Sequence, residues 1–282
     1  MVDVSIIMPV YNGSRYLQEA LESVLNQTYY NFEFIIINDG SIDDTAKILE
    51  KYKRKDPRIK IITNTKNIGI AKSLNIGIKI SSGKYIARID SDDIWDSSKL
   101  EIQIHYMESY KDIGLLGTSV FPINNNGNII KKRRIFNNGK MLNTSKIKFL
   151  MLFRNPYCHS SIIFKSSLIP KVGLYNEDYL FSQDYEYWFR VVSISDSLIL
   201  KNKLVYFRIH NNMTSIKANS SQLYYSYKAK NSGILNYYNI SYYPFIIYNT
   251  FAFLFKIILI YCISLLKKYF KFQYILNKKP IE

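Results

Sequence analysis

The chain has 282 residues, of which 48% are hydrophobic and 21% charged, and its formal net charge is +16. This length and composition are typical of a globular protein with a full core and exclude a disordered chain. The two cysteines, Cys158 and Cys262, have no metal-binding spacing and favour a reduced, cytosolic setting. No signal peptide is predicted, because the first apolar run starts at Val4 without a basic segment before it.

Strand and helix patterns alternate through the N-terminal part of the chain. Short apolar runs predict strands at 4–10, 34–37, 59–62 and 85–89, and apolar residues at helical spacing predict helices between them. Such βαβ units build a parallel sheet, and ligands of these sheets bind at the carboxyl ends of the strands. Polar clusters follow three of the strands, at residues 11–12, 38–39 and 90–93. We therefore expect these three clusters to converge in space.

The middle of the chain has a less regular pattern. Residues 124–127 predict a hairpin turn, and residues 129–136 predict the returning strand, which carries the basic run 131–134. That run is interpreted either as the solvated edge of a sheet or as a phosphate contact. A further strand is predicted at 161–164 and a helix at 182–192.

Three carboxylates, Asp90, Asp92 and Asp93, crowd into four positions after the fourth strand. Like charges this close disfavour ionisation unless a positive charge lies between them. A divalent cation, Mg²⁺ or Mn²⁺, is the natural counter-charge for Asp90 and Asp92. A helix cap or an acidic turn is the alternative interpretation.

Four segments in this order resemble family 2 glycosyltransferases with the GT-A fold, the bacterial enzymes that build cell-surface polysaccharides. They are Val4-Ser-Ile-Ile-Met-Pro-Val-Tyr-Asn12, Ile36-Ile-Asn-Asp-Gly-Ser-Ile-Asp43, Asn67-Ile-Gly69 with Leu74-Asn75, and Ala87-Arg-Ile-Asp-Ser-Asp-Asp93. The resemblance covers residues 3–215 and implies an α/β, Rossmann-like nucleotide-diphospho-sugar transferase fold.

The resemblance also implies a donor site. Val10 and Tyr11 would hold the nucleotide base, with Tyr11 stacked on a uracil, and Asp39 would hydrogen-bond that base. The D-x-D motif falls on Asp90-Ser91-Asp92: Asp90 would meet the ribose or the metal, and Asp92 would bind the metal.

Further donor contacts are implied less directly. Arg88 is a candidate for the diphosphate, and Asn67 belongs to the third motif. Lys72 is a weaker candidate for a base or phosphate contact, because Leu74 stands where the family often has arginine. Asp93 is interpreted as a structural acid.

The segment Ser182-Gln-Asp-Tyr-Glu-Tyr-Trp188 resembles the family motif whose aspartate is the general base, which places that role on Asp184. The acceptor hydroxyl must lose a proton, and a positioned carboxylate can take it. Glu186 is the rival carboxylate, and a helix cap is the alternative role for Asp184.

Four residues are acceptor or loop candidates. His159 precedes a predicted strand, where similar enzymes carry a histidine near the acceptor side; a structural histidine is the alternative interpretation. Trp188 is interpreted as core or as an aromatic platform for a sugar. Arg208 and His210 begin a loop, continuing through Asn211-Asn-Met-Thr-Ser215, that resembles the family loop closing on the donor diphosphate; His210 is a candidate for phosphate or metal.

The C-terminal part changes character. Residues 197–282 hold 12 Lys and Arg and one acidic residue, and 245–266 is almost wholly apolar. Asn249, Lys256, Lys267 and Lys271 fall on one polar stripe of a helix, which predicts an interfacial helix with lysines toward anionic lipid. A spanning helix, or one packed on the catalytic domain or on a second subunit, stays open.

We therefore predict a transferase domain at 1–218 and a basic, aromatic, helical, membrane-associating tail at 219–282. The predicted enzyme is inverting and uses Mn²⁺ or Mg²⁺, with a nucleotide-sugar donor that carries UDP and a glycan or lipid-linked saccharide acceptor. It would lie on the inner face of the cytoplasmic membrane, with a homo-oligomer possible and no nucleic-acid partner. The alternatives are a non-catalytic nucleotide-sugar binder and a sugar nucleotidyltransferase, whose glycine-rich basic loop is replaced here by Tyr-Asn-Gly-Ser.

Overall fold

A computed structural model describes residues 2–130, 139–210, 213, 219–238 and 240–259. In these ranges eight strands form one sheet in the order β3-β2-β1-β4-β7-β6-β8-β5. The strands are β1 (Val4–Val10), β2 (Phe32–Asn38), β3 (Ile59–Thr63), β4 (Tyr85–Arg88), β5 (Ile94–Trp95), β6 (Ile113–Ile123), β7 (Ile163–Lys165) and β8 (Asp196–Arg208). The first four strands pair in parallel, whereas β7 runs antiparallel to both of its neighbours.

Helices cover both faces of the sheet. They are α1 (Leu17–Leu25), α2 (Thr45–Lys53), α3 (Ile70–Ile80), α4 (Lys99–Ser109), α5 (Thr144–Met151), α6 (Ile169–Val172), α7 (Gln183–Ile194), α8 (Asn219–Tyr237) and α9 (244–259). One apolar core lies between the sheet and α1, α2 and α4, and a second lies on the opposite face with α3 and α7. Every residue of β1 and β2 is buried, because a parallel strand covered on both faces needs apolar side chains at consecutive positions.

The alternating strands and helices predicted for the N-terminal part are confirmed within two residues. The predicted strand at 161–164 is displaced: residues His159–Ser161 form a 3-10 turn, and β7 starts at Ile163. The hairpin turn at 124–127 is confirmed by the hydrogen bond from Gly127 N to Asn124 O at 3.0 Å. The basic run 131–134 lies outside the described residues.

Two long strands were not predicted. β6 and β8 pair in parallel and extend the sheet beyond the four strands of the N-terminal part. They carry the backbone to the carboxyl end of β4, so that Arg208, the last residue of β8, reaches the D-x-D turn. Burial is nearly continuous in β6 and interrupted in β8, and no clean alternation of apolar and polar residues marks either strand in the sequence.

The C-terminal helices pack on the body of the protein. A side chain on Gly233 of α8 would lie 2.3 Å from the ring of Phe189 in α7, so glycine permits this close approach. The predicted polar stripe is only partly described, since Lys267 and Lys271 lie outside the described residues. Its first member, Asn249, faces α8 rather than solvent or lipid. Among the helices that the structure describes, none has both the length and the apolar character needed to cross a bilayer.

Candidate active site

Three loops meet at the carboxyl ends of β1, β2 and β4, and the predicted convergence is therefore confirmed. The Asn12 side chain accepts a hydrogen bond from Ile42 N at 2.9 Å, and Asn12 N donates to Ser41 Oγ at 3.0 Å. Asn12 has a φ of 50°, a left-handed conformation that asparagine tolerates better than most residues. A side chain on Gly13 would lie 3.1 Å from Ser91 Oγ, which brings the first loop against the D-x-D turn.

Asp39 is the anchor of the second loop. Its carboxylate accepts hydrogen bonds from Asn64 Nδ2 at 2.8 Å and from the backbone N–H groups of Ile68 and Gly69 at 3.0 Å each. Asp39 is buried, and Asp39 N donates to Val10 O at 2.8 Å. The carboxylate therefore holds the loop before α3 in place; its predicted bond to a nucleotide base stays a prediction.

The other predicted base and phosphate contacts surround this anchor. Tyr11 is about half exposed at the tip of the first loop, whereas Val10 is buried beneath it. Asn67 is exposed on the loop before α3, and Lys72 is exposed in the first turn of that helix. A side chain on Gly40 would lie 2.7 Å from Asn67 N, which keeps the second and third loops in contact.

The counter-charge of Asp90 is an arginine. Arg88 donates from Nη1 to Asp90 Oδ2 at 2.8 Å and from Nη2 to Asp90 Oδ1, a bidentate ion pair with the guanidinium buried. Ser160 adds two contacts, because Asp90 N donates to Ser160 Oγ at 2.9 Å and Ser160 Oγ lies 3.2 Å from Asp90 Oδ2. Arg88 is 2% exposed, so contact with a donor diphosphate requires this pair to open.

Asp92 points to a different partner. His210 Nε2 lies 2.9 Å from Asp92 Oδ2, which places one carboxylate oxygen and one imidazole nitrogen side by side. Oxygen and imidazole donors of this kind suit a divalent cation such as Mn²⁺. In the part of the chain that the structure describes, no cluster of three or more His, Cys, Asp or Glu side chains is arranged to hold a metal.

Arg208 holds the D-x-D turn in place through its side chain and its backbone. It donates from Nε to Asp92 O at 2.9 Å, from Nη1 to Asn125 O at 3.1 Å and from Nη2 to Glu19 Oε2 at 2.8 Å. Its backbone N–H donates to Asp93 Oδ1 at 2.9 Å, and Asp93 is buried, in line with a structural role. The Arg208 guanidinium is thus engaged and 1% exposed, whereas most of the loop predicted to close on the donor lies outside the described residues, so that closure stays a prediction.

Asp184 lies in the first turn of α7 and is partly exposed. Asn155 Nδ2 donates to Asp184 Oδ2 at 2.7 Å. Burial raises the pKa of Asp184 above its ordinary value, and the charge of Arg88 opposes that rise. Burial also disfavours the charge on Arg88, but the carboxylates of Asp90 and, more weakly, Asp184 outweigh it and raise the pKa of Arg88.

Glu186, the rival candidate for the base, has a partner of its own. Glu186 is buried and forms an ion pair with Arg190 Nη2 at 2.8 Å, one turn along α7. Arg190 in turn donates to the carbonyl of Val172 at the end of α6. The predicted ranking of the two acids agrees with this geometry, since Glu186 serves packing between α6 and α7.

The aromatic residues behind Asp184 form a packed layer. Trp188 is completely buried, so its core interpretation holds and its ring presents no face to a sugar. His159 Nε2 lies 3.0 Å from the hydroxyl of Tyr175, and burial, together with Arg88, holds the pKa of His159 well below its usual range. The ring of Tyr175 stacks on Tyr187 at 4.2 Å.

Three residues organise the site although the sequence predicted no role for them. Asn155 and Ser160 hold Asp184 and Asp90, and both belong to the irregular Asn155–Ser161 stretch between α5 and β7. Asn75 exchanges two hydrogen bonds of 2.9 Å with the backbone of Tyr175, which ties α3 to the segment before α7. An asparagine before proline at residue 155, where a helix pattern ends, was the available signal.

Comparison with known proteins identifies relatives over most of the chain. The family model described as Glycosyl transferase family 2 matches residues 5–170. An uncharacterized glycosyltransferase of Haemophilus influenzae is 37% identical over 84% of this chain and 74% of its own length. The O-antigen biosynthesis glycosyltransferase WbnJ of Escherichia coli is 35% identical over 76% of this chain and 83% of its own length.

Solved structures share the fold at low identity. TarS 1-349 of S. aureus in complex with UDP-GlcNAc has a TM-score of 0.66 at 19% identity, covering 84% of this chain and 67% of that one. The mannosyltransferase PcManGT of Pyrobaculum calidifontis, in complex with GDP-Man and Mn²⁺, has a TM-score of 0.64 at 14% identity, covering 88% and 68%. At these identities the comparison supports a common GT-A-like α/β architecture.

Proposed function

The chain belongs to glycosyl transferase family 2, and from that premise we propose that it moves a sugar from a UDP-activated donor to a growing cell-surface glycan with inversion of configuration. The glycan would be a capsule, O-antigen or lipooligosaccharide precursor. A relative named for O-antigen biosynthesis and a structural neighbour that binds UDP-GlcNAc support this choice of acceptor and donor.

One observation carries the proposal. Asp184 and the D-x-D turn come from distant parts of the sequence, yet one short segment, 155–160, binds both: Asn155 donates to Asp184 and Ser160 to Asp90. A candidate base and a candidate diphosphate site therefore lie near each other at the carboxyl edge of the parallel strands, where ligands of such sheets bind.

The chemistry follows from this arrangement. The oxygen of the acceptor hydroxyl attacks the anomeric carbon of the donor sugar, and the bond from that carbon to the diphosphate oxygen breaks. The electron pair leaves with the nucleoside diphosphate, and Asp184 takes the hydroxyl proton as general base. A raised pKa suits this role because it makes the carboxylate a better proton acceptor.

A divalent cation fits one part of the site. Asp92 and His210 offer an oxygen and a nitrogen donor 2.9 Å apart, and donor phosphate oxygens would complete the ligand set. Asp90, whose two oxygens are already bound by Arg88, fits this role less well. When bound, Mn²⁺ or Mg²⁺ stabilises the negative charge that develops on the leaving diphosphate.

Replacement of the base tests the proposal. Asp184→Asn is expected to lower the rate of sugar transfer by about 10²–10⁴-fold while the affinity for nucleoside diphosphate stays near that of the wild type. The measurement is metal-dependent release of nucleoside diphosphate from a panel of UDP- and GDP-sugars, with Glu186→Gln as the matched control. Full activity of Asp184→Asn would remove Asp184 from the mechanism.

The same panel separates the alternatives. Turnover of GDP-sugars but not UDP-sugars would overturn the UDP assignment and keep the transferase. Tight binding of a UDP-sugar without turnover, for any acceptor extract and metal, would instead favour a non-catalytic nucleotide-sugar binder.

A further inference from the structure

Helix α9 buries a polar side chain and exposes several large apolar ones, unlike most helices on the surface of a water-soluble domain. Its polar residue Asn249 is 1% exposed and lies 3.4 Å from both Lys230 Nζ and Asn231 on α8. Phe253 stacks on Tyr227 of α8, but several other large apolar residues face outward: Phe251 is 69% and Phe255 67% exposed. A surface helix in water ordinarily buries its apolar side and exposes its polar side, so this orientation indicates an apolar environment.

The apolar surface continues onto the transferase domain. Phe149 of α5 is 55% exposed and contacts Phe153 with ring centroids 5.3 Å apart. Phe153 contacts Phe245 at 5.4 Å and Tyr248 of α9 at 5.8 Å. We define the docking face by the exposed side chains of Met141, Phe149, Phe153, Tyr248, Phe251 and Phe255.

A groove adds to the docking face on the side of α5. It has a volume of about 380 Å³ and is lined by Leu142, Ser145, Lys146, Phe149 and Leu150. Its accessible walls are almost wholly apolar, and Lys146 is the charged residue among those that line it.

The two segments that form the docking face carry basic residues and no acidic ones. Residues 139–154 include Lys140, Lys146, Lys148 and Arg154, residues 241–259 include Lys256, and neither segment contains an aspartate or glutamate. Lys140, Lys146 and Lys256 are exposed, and Lys148 is partly exposed. Lysines beside exposed aromatic and aliphatic side chains complement an anionic lipid surface, whose headgroups take the charge while the acyl region takes the apolar groups.

We propose that the docking face binds the surface of an anionic lipid bilayer, with α5 and α9 lying together at the level of the headgroups. A second copy of this chain is the competing occupant. It is disfavoured because a symmetric contact would bring the like-charged lysines of two copies together.

The docking face lies directly beside the candidate base. The chain leaves α5 and reaches Asn155 four residues later, and Asn155 holds Asp184. The hydroxyl of Tyr185 donates to Met151 O at 2.6 Å, which joins α7 to the end of α5. Docking would therefore present the acceptor side of the cleft to a lipid-linked saccharide; this extension, unlike lipid binding itself, rests on the proposed function.

Sedimentation with vesicles tests the proposal on the full chain. We expect the protein to pellet with vesicles made of equal amounts of phosphatidylglycerol and phosphatidylcholine and far less with phosphatidylcholine alone. Phe251→Glu with Phe255→Glu should abolish pelleting, and neutralising Lys146 and Lys148 to glutamine should weaken binding by about fivefold for each lysine. Tyr30→Glu is the matched control, because Tyr30 is 73% exposed on the loop before β2.

The outcomes separate lipid binding from catalysis. The proposal would be overturned if the Phe251 and Phe255 variant pelleted as much as the wild type. It would also be overturned if the wild type failed to bind anionic vesicles. A concentration-dependent dimer that dissociates in that variant, without vesicle binding, would assign the face to a second copy. Nucleotide binding by the variant controls for folding, and loss of sugar transfer with intact vesicle binding would count against the proposed function alone.

Discussion

At the scale of single residues, the candidate site is a set of carboxylates that differ in partner. Asp90 is neutralised by Arg88, Asp92 faces His210, and Asp184 is held by a neutral amide. A neutral partner leaves the negative charge available for a proton, whereas a bidentate arginine removes it. This difference in partners favours Asp184 over Asp90 for the proposed base role.

Asn155 is therefore expected to tune the base. In Asn155→Ala the lost hydrogen bond no longer favours the ionised form, so the pKa of Asp184, already raised by burial, should rise further. Because Asp184 must be ionised to accept a proton, the acidic limb of the kcat profile should move to higher pH. The loss of positioning should also lower kcat by about ten- to a hundredfold.

The measurement is kcat against pH for the wild type, Asn155→Ala and Asn236→Ala, an exposed asparagine on α8. The Michaelis constant for the donor should stay unchanged in both variants. If the acidic limb of Asn155→Ala coincides with that of the wild type, the hydrogen bond has no role in setting the pKa of the base.

At the scale of elements, a buried acid ties the parallel strands together. Glu33 of β2 accepts hydrogen bonds from Ser5 of β1, from Lys60 of β3 at 2.6 Å, and from Ser82 N and Oγ at 2.7 and 2.8 Å. Burial raises the pKa of Glu33, but the hydrogen bonds from Lys60, Ser5 and Ser82 outweigh it and lower the pKa to about 2. Glu33 thus links β1, β2 and β3 near their amino-terminal ends, opposite the candidate site.

Glu33→Gln should lower the free energy of unfolding by about 1–3 kcal/mol at neutral pH, because an amide cannot satisfy all these donors. The pKa of Glu33 falls on folding from 4.5 to about 2, so its stabilisation is complete above 4.5 and is lost as the pH falls through 2. Wild-type stability should therefore drop across this window more than that of the variant.

Urea unfolding at neutral pH and at a pH inside the window is the measurement. Glu50→Gln, at an exposed glutamate of α2, is the matched control. Parallel pH dependence in the wild type and Glu33→Gln would show that Glu33 does not carry the acid sensitivity.

At the scale of the whole molecule, the domain boundary predicted at residue 218 separates α8 from α7, the helix that α8 covers. Gly233 lies against Phe189 of α7, and Ala229 and Ile234 are completely buried. The Gln222 amide donates to Ser182 Oγ at 2.8 Å, directly before the turn that carries Asp184. Helix α8 therefore supports α7, while α9 lies farther out on α8.

Two truncations should behave differently. A chain of residues 1–238 keeps α8 and should bind nucleotide and melt close to the full chain. A chain of residues 1–218 exposes Phe189 and its neighbours and should melt at least about 5 °C lower. Thermal unfolding monitored by circular dichroism measures both; an unchanged melting temperature for 1–218 would make the predicted transferase domain an independent folding unit.

The local sequence pattern was sufficient to predict much of the architecture. The alternation of apolar runs and helical spacing predicted β1 to β4 and the helices between them, because a doubly covered parallel strand and an amphipathic helix each leave a periodic trace in consecutive residues. The same order placed Tyr11, Asp39 and Asp90 at one edge of the sheet, since parallel strands end together. β6 and β8 left no such trace and were missed.

The amino-acid order by itself determined the α/β class, the family resemblance and the placing of the acidic turn after β4. Tertiary structure alone decided which partner each charge has: Arg88 for Asp90, His210 for Asp92, Asn155 for Asp184, and the Arg208 clamp on the D-x-D turn. It also decided that α9 turns its apolar side outward. These outcomes depend on contacts between residues that are far apart in the chain, and periodicity within a short segment carries no information about them.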